Sequence, residues 1–187
     1  RIIYSHLGGE GKTFISNTHF DTTRANIEFS GAEAFDIPIE AAHDMQNFHP
    51  FKGNMDVQKL EKLIAEKGAE NIGAVILTVT NNSSGGQPVS MENAEQVAAV
   101  CKKFGVRYLL DCCRIAENSY FIKHREAGFE NHTYKQIAQE MFALADGAVM
   151  SAKKDALVNM GGFLVLRDEE LADACKSLLI ITEGFTT

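Results

Sequence analysis

Two adjacent lysines, Lys153 and Lys154, stand in "MSAKKDALVNMGG", after the apolar stretch "ALADGAV" and before the apolar run "FLVLRD". An amine held where the chain is otherwise burying its residues is a candidate nucleophile. Three further stretches put reactive or polar groups directly after apolar runs. Asn81, Asn82, Ser83, Ser84, Gly85 and Gly86 follow "IGAVILTVT". Asp111 and Arg114 stand at and just beyond the end of "VRYLLD", and Ser151 precedes the lysines. His19, Phe20, Asp21, Thr22 and Thr23 follow "TFISN".

Each residue alone has an ordinary reading. Asp111 suits a helix cap, Asn82 and the glycines suit a turn, Arg114 suits the surface and Phe20 the core. Lys153 and Lys154 suit a solvated loop end. The set is more specific. An amine near a carboxylate suits a Schiff base to an aldehyde cofactor, and pyridoxal phosphate is the natural candidate. Its ring nitrogen needs a carboxylate, its phenolic oxygen needs donors, its face takes an aromatic ring and its phosphate takes a hydroxyl.

These groups meet only if the runs before them are neighbouring strands. "IGAVILTVT" (Ile72 to Thr80) is apolar on both faces, as the middle of a parallel sheet requires. Further strands are expected at Thr13–Asn17, Glu33–Ile39, Val106–Asp111, Gly147–Ala152 and Gly162–Asp168. Helical spacing and caps predict helices over 57–70 behind Asp56 and over 91–105 behind Ser90. Others are expected within 115–128, over 133–146 and over 169–180. "NTHFDTTRANIE" and "EAAHDMQNFHPFKGNMD" are expected to be polar loops. Strands alternating with helices predict an α/β fold with a parallel sheet and right-handed crossovers. Ligands of such sheets bind beyond the carboxyl ends of the strands, where the four stretches lie.

Composition narrows the alternatives. A length of 187 residues with 45% hydrophobic and 23% charged residues fits one folded domain. A net charge of −7 without a long basic stretch speaks against nucleic-acid binding. No apolar run is long enough for a membrane span, and the first residues lack the apolar centre of a signal peptide. The four cysteines (Cys101, Cys112, Cys113 and Cys175) form no CxxC pair, so reduced cytosolic thiols are expected rather than a zinc site. The chain starts at Arg1 and ends in "EGFTT" straight after an apolar run, so a segment of a longer polypeptide is expected.

The stretches "HFDTT", "HPFKGNMD", "TVTNNSSGGQPVSM", "DCCRIAENSYFIKHRE", "MSAKKDALVNMGGF" and "EGFTT" resemble the β-eliminating lyases, the tryptophanases and tyrosine phenol-lyases. They occur in family order along nearly the whole chain. "GGQPVSM" and "RIAENSYFIK" are the most specific. The resemblance implies a parallel-rich, three-layer α/β sandwich, part of the large pyridoxal-phosphate-binding domain of the aspartate-aminotransferase-type fold. It implies that Lys154 binds the cofactor and removes the Cα proton, with Lys153 ordering the site beside it. Asp111 would pair with the pyridine nitrogen, and Arg114 and Asn82 with the phenolic oxygen. Phe20 would stack on the ring, and Ser151 would contact the phosphate. Asn159 matches a backbone ligand of an activating potassium or ammonium ion. Asp21 matches the indole-releasing type, where the phenol-releasing type carries Thr. The implied reaction converts L-tryptophan and water to indole, pyruvate and ammonia, in a cytoplasmic dimer of dimers.

The family's phosphate-binding Gln-Gly-Arg loop, a tyrosine contributed across the dimer, a metal-ligating Glu and the substrate-carboxylate Arg have no counterpart between Arg1 and Thr187. The 187 residues alone are therefore expected to show little or no lyase activity. Phenol release, an aldolase or desulfurase of the same fold, and a folded fragment without activity are the alternatives.

Overall fold

The computed structural model describes residues 1–184. The last three residues of the "EGFTT" stretch lie outside the described residues. The element order is α1 (Ile2–Leu7), β1 (Thr13–Ser16), α2 (Asp21–Phe29), β2 (Glu33–Asp36), α3 (Val57–Lys67), β3 (Ile72–Thr78), α4 (Met91–Phe104), β4 (Tyr108–Asp111), α5 (Ile115–Arg125), α6 (Tyr134–Leu144), β5 (Gly147–Ser151), β6 (Gly162–Leu166) and α7 (Glu169–Glu183).

The strands form one sheet in the order β2-β1-β3-β4-β5-β6. Every neighbouring pair is parallel except β5–β6, which is antiparallel. β3 lies in the interior of the sheet, and all seven of its residues are buried. That is the placement its unbroken apolar run demands. β6 turns back because no helix separates it from β5, and a parallel return needs a long crossover.

Two apolar layers sandwich the sheet. Val75, Leu77, Tyr108 and Leu110 pack with Leu60 and Ile64 of α3, Val97 of α4 and Ile137 and Met141 of α6. On the other side, Ala74, Ile76 and Leu109 pack with Ile3 and Tyr4 of α1, Ile27 of α2 and Leu171 and Cys175 of α7. Alternate residues of β3 and β4 thus feed opposite cores, as the two-residue period of a strand requires. The result is a three-layer α/β architecture.

Side-chain caps start the helices. Asp56 accepts from the Lys59 N–H at 3.0 Å, Ser90 from Asn93 at 3.1 Å and Asp168 from Leu171 at 3.0 Å. Thr133 and Gln136 form a reciprocal capping box at the head of α6. Gly105 ends α4 with φ 66°, a left-handed conformation that glycine adopts without a Cβ penalty.

One segment differs from the sequence-based expectation: Asp21–Phe29 is helical where a polar loop is expected. A short helix over Ile2–Leu7, with Ile3, Tyr4 and Leu7 packed into the core, adds to the expected elements. α2 buries only Ile27 and begins behind Phe20, which makes no side-chain cap. It is held by tertiary contacts instead. Arg24 donates to the Ala34 carbonyl at 3.1 Å and to Asp36 at 2.5 Å. Among the described residues no helix is long and apolar enough to cross a membrane.

Candidate active site at the strand ends

The register sets the carboxyl ends of the inner strands side by side. Thr78 of β3 pairs with Asp111 of β4, and Asp111 with Val149 of β5. Beyond these ends lies a cavity of about 720 Å³. Phe20, Asn82, Asp111, Arg114, Ser151, Lys153 and Lys154 all line it. They belong to four separate stretches of sequence, and parallel pairing delivers them to one place.

Asp111 is the buried charge, with 7% of its surface exposed. Burial raises its pKa above the ordinary carboxylate range. Hydrogen bonds from Cys113 and the positive charges of Lys154 and Arg114 work against that rise. Lys154 is half-buried, and its Nζ stands over the Phe20 ring, 5.2 Å from the centroid. Lys153 is exposed. Arg114 sits at the head of α5, with its backbone N–H on the Val79 carbonyl at 3.1 Å and its Nε 3.9 Å from Glu117.

Each wall is braced from behind. Asn17, fully buried, donates to the carbonyls of Gly53 at 2.8 Å and Thr78 at 3.0 Å, and accepts from the Thr78 N–H at 2.9 Å. This locks the end of β1 to the end of β3. The corner that presents Phe20 is fixed through its neighbour. Asp36 accepts the His19 backbone N–H at 2.8 Å and lies 2.6 Å from its ring Nδ1. Burial opposes the charge on Asp36, but the bonds from His19 and Arg24 hold its carboxyl below the usual range. Asn82 rides on a short turn over 82–84, closed by Gly85 at φ 81°. Ser83 ties that turn to the His19 carbonyl at 3.0 Å.

The lysine loop is anchored by a residue that motif reasoning overlooked. Asp155 accepts the N–H groups of Ala116 at 2.7 Å and Glu117 at 3.2 Å, capping α5 from the loop that carries Lys154. Tyr4 also lines the cavity, and burial followed by the nearby Asp111 charge pushes its hydroxyl pKa well up. Nothing in the sequence around Tyr4 marks it. Cys113 forms part of the wall as well.

Two expected site residues lie off this wall. Asp21 is exposed at the first position of α2, next to Phe20. Asn159 is exposed in the loop between β5 and β6. Among the described residues no group of three or more His, Cys, Asp or Glu could hold a metal ion.

The fold recurs in solved proteins of low sequence identity. It matches a putative L-allo-threonine aldolase from Listeria monocytogenes with a TM-score of 0.67 at 15% identity, covering 98% of this chain and 45% of that one. It also matches a putative aromatic amino acid β-eliminating lyase/threonine aldolase from Exiguobacterium with a TM-score of 0.65 at 14% identity, covering 98% and 45%. At these identities the likeness shows the fold class alone, a mostly parallel α/β architecture. The β-eliminating lyase family model matches residues 3–186, and the chain belongs to that family. A tryptophanase from Salinibacter ruber is 51% identical over 187 residues, covering the whole of this chain and 40% of its own length. A tryptophanase from Hyphomonas neptunium is 50% identical over 186 residues, 41% of its length. A tyrosine phenol-lyase from Pasteurella multocida is 51% identical over 168 residues, 90% of this chain and 37% of its own length. The chain spans about 40% of the length of the curated relatives it matches.

Proposed function

We propose that this chain is part of the large cofactor-binding domain of a pyridoxal-phosphate-dependent carbon–carbon lyase. Its substrate is an aromatic amino acid, and the reaction takes L-tryptophan and water to indole, pyruvate and ammonia. One observation carries the reading: the Lys154 amine and the buried Asp111 carboxylate border one cavity, with the Phe20 ring beneath the amine.

The walls fit the cofactor by their chemistry. When bound, pyridoxal phosphate supplies an electron sink that makes Cα of the amino acid acidic. Asp111 would hold the ring nitrogen protonated, and its burial shields that pairing from water. Arg114 and Asn82 would donate to the phenolic oxygen, and Ser151 to the phosphate. Phe20 would take the ring face. Lys154 would hold the aldehyde and then move the Cα proton, with Lys153 ordering the loop. A monovalent cation held in part by the Asn159 backbone, a dimer of dimers and a cytoplasmic setting complete the reading.

Indole rather than phenol release rests on Asp21, since a tryptophanase is 51% identical over the whole chain and a tyrosine phenol-lyase 51% identical over 90% of it. The full-length protein should gain a visible absorbance band on adding pyridoxal phosphate, and Lys154→Ala should not. A band of equal strength in the variant would remove Lys154 from the reading. The wild type should release indole from tryptophan faster than phenol from tyrosine, and Asp21→Thr should lower indole release at least tenfold. An unchanged rate would leave no role for Asp21.

A further inference from the structure

Cys113 occupies a position that the proposed chemistry does not use. It is half-buried on the cavity wall, directly between Asp111 and the strand that leads to the lysines. Its Sγ accepts the Ser151 backbone N–H at 3.1 Å. Its backbone N–H donates to Asp111 Oδ1 at 3.4 Å, and its thiol lies close enough to the Asp111 carboxylate to feel that charge. Its carbonyl accepts the N–H of Asp155, the residue after Lys154, at 3.3 Å.

We propose that Cys113 is a positioning residue, a sulfur bridge that orders the Asp111 carboxylate and the β5 end bearing Ser151 and Lys154 as one unit. This deepens the cofactor reading above and rests on it. The direction of the bridge follows from chemistry. Burial, and next the Asp111 charge, push the thiol up to about 11, so it keeps its proton at neutral pH. The S–H can then donate to the carboxylate while a sulfur lone pair accepts the Ser151 N–H. Neighbouring Cys112 faces elsewhere, donating to the Val149 carbonyl at 3.2 Å, so the two cysteines are not interchangeable.

The titratable and charged groups around Asp111 are Cys113 at its own strand end, Arg114 at the head of α5, Lys154 from the loop after β5 and Tyr4 from α1, while the Cys112 thiol turns to Val149. Of these, Cys113 is the one that reaches both the carboxylate and the next strand. Serine carries the same donor and acceptor; alanine carries neither.

The test compares wild type, Cys113→Ser and Cys113→Ala in the full-length protein. The first readout is the dissociation constant for pyridoxal phosphate as a function of pH. Alanine should weaken binding about tenfold and shift the acid limb of the binding curve upward, while serine should stay within about threefold of wild type with its limb unmoved. The second readout is thermal stability against pH in cofactor-free protein, each variant measured against its own Asp111→Asn double. Losing the sulfur contact should carry the Asp111-dependent step to higher pH in the alanine variant alone. An alanine variant with unmoved curves overturns the proposal. So does a serine variant that loses affinity together with alanine while both limbs stay in place, which is what a packing defect would do. If wild type binds no cofactor, the cofactor reading fails, and the stability curves still decide the role of Cys113.

Discussion

Asp111→Asn should make the cofactor-free protein more stable while removing its tight affinity for pyridoxal phosphate. Asp111 has 7% of its surface exposed, and the Cys113 backbone N–H reaches it at a long 3.4 Å. Its burial outweighs the help it receives from Cys113, Lys154 and Arg114, so its carboxyl takes up a proton more readily than an ordinary Asp. An amide of the same shape removes a charge that the fold disfavours. The cost of a buried, incompletely partnered polar group is about 1–3 kcal/mol, and that is the stabilisation expected. For a chain of this size it corresponds to a rise in Tm of roughly 2–12 °C. The sign of the pH dependence is set by the raised pKa. Below about pH 3, well under the ordinary Asp pKa of about 3.9, the carboxyl is protonated in folded and unfolded chains alike, and the two proteins should melt together. As pH rises, the unfolded chain gives up its proton first, so wild-type stability falls until the folded carboxyl has also ionised. The gap then stays constant. Calorimetry across pH on cofactor-free protein measures this directly. A variant less stable than wild type at neutral pH, or a gap independent of pH, would refute the argument that Asp111 is strained by burial.

Asn17→Ala should cost about 2–5 kcal/mol in urea unfolding, because the Thr78 N–H and the carbonyls of Thr78 and Gly53 all lose a buried partner. A loss under about 1 kcal/mol would mean that water replaces the amide. Gly53→Ala should destabilise by about 1–3 kcal/mol or more, since its Cβ would meet the Gln87 carbonyl oxygen at 2.2 Å and that of Pro88 at 2.7 Å. An unchanged unfolding midpoint would show that the 87–88 backbone can yield.

The strands and the strand-end stretches were legible because they depend on local pattern. A seven-residue apolar run has few places to go but the inside of a sheet, and the residues just beyond a strand stay at its end wherever that strand sits. The helices at 2–7 and 21–29 were not legible, because their support is remote in sequence. α1 packs Ile3 and Tyr4 in one apolar layer with Leu171 and Cys175 of α7, at the far end of the chain. α2 begins with Asp-Thr-Thr-Arg behind an uncapped Phe and relies on Arg24 reaching Ala34 and Asp36. The bracing of the lysine loop was hidden for the same reason. Asp155 caps a helix 39 residues before it, and no local spacing announces such a partnership. Cys113 read as a small residue filling a small space. Only the pairing of β4 with β5 reveals that its sulfur meets Ser151.

Charge separates this cavity from the rest of the molecule. The chain as a whole carries −7, yet among the described residues the cavity is lined by Arg1, Arg114, Lys153, Lys154 and Lys176 against the single carboxylate of Asp111. A structural sheet end has no need to gather cations on one wall of an acidic protein, where each adds repulsion to the others. Glu183, Glu117 and Asp173 reach Arg1, Arg114 and Lys176 at 3.9, 3.9 and 2.8 Å from outside the lining, and an anionic ligand would add to that compensation from within. A phosphate and an amino-acid carboxylate are both of that kind, and a field of this sign draws them in while the acidic exterior does not compete for them. Asp111 is then the exception that the same logic requires. A site built only of cations would hold any anion, whereas one buried carboxylate bordering the same cavity as the amine suits the proposed cofactor, with its protonatable nitrogen and its carbonyl carbon.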